Sequence, residues 1–123
     1  MWSTAALSNV AFAVPLSLFL GYGLVISAVS TTCVLVASTL YHGSGRARWR
    51  ALDQAAAWAL IANNSWLLAA SGGPQPFLSL ALLLFALAMV IFYRLGHDDW
   101  GWHSCSAGIT LLCGLAYVTP QAS

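Results

Sequence analysis

The sequence predicts an all-α, polytopic transmembrane helix bundle of about five helices. Hydrophobic residues make up 60% of its 123 residues and charged residues only 6%, with neither lysine nor glutamate. A soluble domain carries about 25% charged residues. A water-exposed surface therefore cannot be built from this composition, and apolar runs separated by glycine, proline and arginine are typical of membrane helices.

Turn signals divide the apolar runs. Gly21-Tyr22-Gly23 splits the first forty residues, an arginine-rich loop follows Gly43, and Ser71-Gly72-Gly73-Pro74 ends the third run. Five helices follow from these breaks, near Trp2–Leu20, Gly23–His42, Ala51–Ala70, Phe77–Tyr93 and Trp100–Val118. The sequence leaves open whether residues 1–41 cross the membrane once or twice. We expect no removable signal peptide, and residues 1–123 form one transmembrane domain.

The arginines predict the orientation. Arg46, Arg48, Arg50 and Arg94 are the only basic residues besides histidine, and they follow the second and fourth helices. The positive-inside rule assigns both loops to the cytoplasm, which predicts a multi-pass protein of a bacterial-type inner or plasma membrane. The net charge of +1 and the absence of a basic stripe exclude a nucleic-acid partner.

Ionisable residues gather at one end of this predicted bundle. Ser38 and His42 are one turn apart on helix two, Asp53 opens helix three, and His103 lies in the first turn of helix five. Asp99 precedes His103 by four residues. Three helices therefore bring two histidines and a carboxylate to one depth, a pattern that indicates a metal or proton site.

Each of these residues also has a simpler interpretation. Asp53 is favoured at a helix N-terminus by the dipole, and His42 at a C-terminus. His97, Asp98 and Asp99 form a short polar loop that solvent alone could explain. Asn63 and Asn64 lie mid-helix and predict hydrogen bonds to neighbouring helices. Small residues predicted to lie at helix contacts are Cys105, Ser106, Gly108, Thr110, Cys113 and Gly114.

The segment Ser38-Thr39-Leu40-Tyr41-His42, with Asp53 after the basic loop, resembles the hemolysin III and progestin/adipoQ-receptor family. This family is grouped with membrane hydrolases that include the alkaline ceramidases, and Trp102-His103 is similar to its final motif. The resemblance implies zinc, with His42 and His103 as ligands, Asp53 as partner of the attacking water, and Ser38 as a neighbouring polar group. Asp99 stands where the family has a second histidine, so Asp99, or His97 in its place, becomes the third ligand.

The resemblance implies a zinc-dependent hydrolase that cleaves an amide or ester of a lipid-like substrate within the lipid bilayer. The family has seven helices and this chain has room for five, so one helical hairpin is missing. Two alternatives stay open. One is a non-enzymatic subunit or scaffold, in a homo-oligomer or a larger membrane complex, and the other is a haem-binding bundle with His42 and His103 as axial ligands.

Overall fold

The computed structural model describes residues 9–44, 46–72, 75–95 and 99–119, apart from the side chains of 93 and 99–102, and these residues are almost entirely helical. A 3₁₀ turn over Asn9–Phe12 runs directly into helix α1. The remaining helices follow in chain order, with a second 3₁₀ turn at Ala47–Trp49. The five α-helices of the described residues are α1 Ala13–Gly21, α2 Val25–Ser44, α3 Arg50–Ala70, α4 Pro76–Leu95 and α5 Asp99–Val118.

The predicted breaks are confirmed, and the helix bounds shift by a few residues. Gly23 at φ 70° and Gly72 at φ 78° adopt the left-handed conformation that glycine tolerates, which ends α1 and α3. Pro15 is the third residue of α1, so its missing N–H lies in the first turn, where no intrahelical partner exists. The geometry changes from 3₁₀ to α after Phe12. Residues 1–8 of the predicted first helix lie outside the described residues.

One described helix is long and apolar enough to cross a membrane by length and composition, α2. Shorter apolar helices cover Asn9–Gly21, Pro76–Phe92 and His103–Val118. The multi-pass topology and the cytoplasmic side of the loops remain predictions.

Many large apolar side chains are exposed on the outside of the bundle, and several polar side chains are buried between its helices. Ile26, Phe77 and Trp58 are 78%, 77% and 70% exposed. Side chains with polar groups are buried between the helices: Asn9, Ser27, Thr31, Ser38, Asn63, Asn64, His103 and Thr110. Apolar side chains such as Phe12, Phe19 and Leu67 are buried beside these polar groups, so the bundle differs from a water-soluble domain chiefly in its many exposed large apolar side chains.

The mid-helix asparagines form hydrogen bonds to neighbouring helices, as predicted. The Ser27 hydroxyl on α2 donates to Asn63 Oδ1 at 2.9 Å. Asn64 Nδ2 donates to Thr110 Oγ1 on α5 at 3.1 Å. Both bonds are buried, and they hold α3 against a different helix on each side.

Gly108 and Gly114 on α5 are close-packing positions, again as predicted. A Cβ at Gly108 would lie 2.7 Å from the Phe85 ring, and one at Gly114 would lie 2.8 Å from the Phe19 ring. Cys105 and Cys113 are buried on the same helix. Small side chains therefore let α1 and α4 approach opposite faces of α5.

Helices α3 and α4 both pack on α5, but within the described part of the chain they do not pack on each other. This divergence leaves a cleft between α3 and α4 with α5 as its floor, and the cleft positions the candidate site.

Candidate functional site

The structure brings His42 and His103 together. Their ring centroids lie 4.9 Å apart and the ring planes meet at 66°. His42 is half-buried in the last turn of α2, whereas His103 is only 4% exposed in the first turn of α5. Two imidazoles from helices remote in sequence therefore meet at one end of the bundle.

Asp53 joins the two histidines from the first turn of α3. Its half-buried carboxylate accepts a hydrogen bond from the Ser38 hydroxyl and lies within electrostatic range of the His42 imidazole. Ser38 itself is 3% exposed. The serine therefore orients the carboxylate, and the imidazole offsets its negative charge.

Asn9 completes this arrangement, and the sequence analysis missed it. Its Nδ2 donates to Ser38 Oγ at 3.0 Å, and its side chain is 1% exposed. The hydroxyl accepts from Asn9 and donates to Asp53, so a directed chain of hydrogen bonds runs from the 3₁₀ turn through α2 to α3. The signal available in the sequence was that Asn9 is a lone asparagine directly before the apolar run Val10-Ala11-Phe12.

The cleft between α3 and α4 opens beside these residues. Its volume is about 490 Å³. At the polar end its lining includes Asp53, His103 and Arg94; the rest is mainly apolar, with Leu60 and Val90 among its walls. A separate, smaller hollow of about 260 Å³ shares Ile61 and Asn64 with the cleft and is also lined by Cys113. The mainly apolar cleft thus ends at ionisable groups.

Two of the predicted site residues are not placed. His97 lies outside the described residues, and so does the side chain of Asp99. Within the described part of the chain no group of three or more histidine, cysteine, aspartate or glutamate side chains is positioned to hold a metal ion. A complete ligand set would therefore need a donor beyond the His42 and His103 pair, and His97 and Asp99 are the predicted sources.

Arg94 is the second residue near the site that was not predicted to lie there. In the sequence it served only to predict the orientation of the chain in the membrane. It lies in the last turn of α4 and lines the cleft across from α3.

No family model, curated protein or solved structure matches this chain.

Proposed function

We propose that this chain is an integral membrane hydrolase that uses zinc to cleave an amide or ester bond in a lipid-like substrate. The observation that carries the proposal is the meeting of His42, His103, Asp53 and Ser38 at the end of an apolar cleft. The exposed apolar faces and the buried polar groups support a bilayer location, because charged or polar groups within a membrane face the bundle interior.

The spacing of the two histidines suits a shared zinc ion. Imidazole nitrogens bind zinc at about 2.0–2.1 Å in a tetrahedral shell, which sets two ring centroids about 5 Å apart. The observed separation is 4.9 Å. Two axial haem ligands instead stand on opposite faces of the macrocycle, and imidazoles in edge contact leave no room for that plane. The histidine geometry therefore favours zinc over haem.

His42 and His103 would hold the metal, with Asp99 or His97 as the third ligand. When bound, zinc supplies a Lewis acid that polarises the scissile carbonyl and acidifies a water molecule. A carboxylate oxygen of Asp53 accepts the proton of the attacking water, and Ser38 keeps that carboxylate oriented. The cleft holds the apolar part of the substrate and keeps bulk water from it.

Access to the site is lateral. The cleft lies between α3 and α4, two helices that do not close on each other. Exposed apolar side chains line it, including Ile61 and Val90. A substrate dissolved in the bilayer can therefore reach Asp53 and His103 without leaving the apolar phase.

Elemental analysis of detergent-purified protein tests the proposal. We expect near-stoichiometric zinc in the native chain and its loss in His42→Ala and in His103→Ala. Cys33→Ala is the matched control, because Cys33 is an exposed thiol on α2 outside the site, and thiols are a side-chain type that can bind zinc. Parallel analysis of His97→Ala and Asp99→Ala identifies the third ligand.

The same samples separate the alternatives. Zinc without a Soret absorption band supports the hydrolase and justifies screening lipid amides and esters for turnover. A Soret band would replace it with the haem interpretation. Neither zinc nor haem in any sample would refute the hydrolase and leave the non-enzymatic subunit or scaffold.

A further inference from the structure

The cleft has dimensions that suit one alkyl chain. From Asp53 to Asn64 it follows α3 for eleven residues, which is about 16 Å at the rise of an α-helix. A C–C bond of about 1.5 Å advances an extended chain by about 1.25 Å, so this length matches about 13 carbons. A whole partner helix, about 10–12 Å across with its side chains, needs far more room than about 490 Å³.

Arg94 lines the polar end of this cleft. Its side chain is exposed, and within the described part of the chain it forms no ion pair or hydrogen bond. Arg48, at the neighbouring loop, instead stacks over the Trp49 ring at 5.1 Å. Among the described residues, Arg94 is therefore a cation that lines the cleft and has no protein partner.

A guanidinium beside an apolar wall selects for an anion. It binds carboxylate or phosphate oxygens through two parallel hydrogen bonds, and such charge-assisted bonds are stronger where water is scarce. Asp53 is the acidic group of the described lining, and its carboxylate already interacts with Ser38 and His42. Among the described residues, the carboxylate of Asp53 thus has interaction partners at this end, while the guanidinium of Arg94 has none.

We propose that the cleft binds a single-chain amphiphile with an anionic head group, and that Arg94 binds this head group. The inference rests on the proposed function for the use of the cleft as a substrate site, and it adds the charge of the substrate. Arg94 is then the residue that determines specificity for carboxylate or phosphate amphiphiles over neutral ones.

Calorimetric titration in nonionic micelles tests the proposal with dodecyl phosphate, dodecanol and inorganic phosphate as probes. We expect dodecyl phosphate to bind the native chain more tightly than dodecanol. Arg94→Gln should weaken dodecyl phosphate binding roughly 10-fold to 100-fold, the worth of a charged hydrogen bond, and leave dodecanol unchanged. Arg94→Lys should fall between the two, because it keeps the charge and loses the bidentate geometry.

Two matched pairs of variants locate the binding. Arg48→Gln removes an exposed arginine at the same end of the bundle but outside the cleft, and should leave all affinities unchanged. Ala57→Trp fills the cleft wall and should abolish dodecyl phosphate binding, whereas Ala55→Trp, exposed and away from the cleft, should not.

Equal losses for Arg94→Gln and Arg48→Gln would overturn the assignment, since both would then report net charge alone. Inorganic phosphate that binds as tightly as dodecyl phosphate would also overturn it, because a free anion site does not use the cleft. His42→Ala separates this proposal from the hydrolase. It should lose zinc yet keep dodecyl phosphate binding, since His42 does not line the cleft.

Discussion

The hydrogen bonds that connect Asn9, Ser38 and Asp53 predict a measurable coupling between the first turn and the candidate site. Ser38→Ala removes the acceptor of Asn9 Nδ2 and the donor to the Asp53 carboxylate. Asn9 is 1% exposed, so water cannot replace its lost partner, and a buried donor left unsatisfied costs about 1–3 kcal/mol. Half-buried Asp53 can recruit water instead. We therefore expect Ser38→Ala to lower the free energy of unfolding by about 1–3 kcal/mol, nearly all of it through Asn9.

A double-mutant cycle isolates this term. Asn9→Leu removes the amide, including an Oδ1 that is already buried without a hydrogen-bond donor in the described part of the chain. In the Asn9→Leu background, Ser38→Ala leaves no buried donor without an acceptor. It should therefore lower the free energy of unfolding by about 1 kcal/mol or less. The expected coupling between the two sites is then about 1–2 kcal/mol.

Equilibrium unfolding in mixed micelles, followed by circular dichroism, measures all four corners of the cycle. Ser17→Ala is the control, because the exposed Ser17 hydroxyl bonds only to a carbonyl of its own helix. Its free energy of unfolding should change by no more than about 0.5 kcal/mol. Effects of Asn9→Leu and Ser38→Ala that add within about 0.3–0.5 kcal/mol would refute the connection.

Further outcomes follow from the packing and from the site. Gly114→Ala should destabilise the bundle by about 1–2 kcal/mol in the same unfolding assay, since overpacking against the fully buried Phe19 ring outweighs the gain in helix propensity. Gly108→Ala should be close to neutral, because Phe85 is 38% exposed and can turn away; an equal cost at both glycines would contradict this account. Asp53→Asn should retain zinc and the fold while lowering kcat at least about 100-fold, the usual contribution of a general base. Undiminished turnover in Asp53→Asn would remove Asp53 from the proton transfer.

The features of the site that depend on short-range interactions could be predicted from the sequence. Gly21-Tyr22-Gly23 and Gly72 end helices because glycine alone readily takes positive φ, and both breaks were predicted from the residues. The one-turn spacing of Ser38 and His42 likewise follows from helix geometry. The interhelical bonds of Asn63 and Asn64 were predicted in kind, because a mid-helix amide needs a partner, although their partners were not.

The sequence by itself determined an apolar, all-helical chain whose histidines and Asp53 lie at helix ends, because composition and periodicity depend on neighbouring residues only. Only the tertiary structure determined which residues those helix ends contact. Asn9 reaches Ser38 across 29 positions, and Arg94 reaches the Asp53 end of the cleft from another helix. No local pattern encodes such contacts, since they depend on the angles at which helices pack on α5. The cleft itself exists because α3 and α4 diverge, and only the packing of the whole bundle sets that divergence.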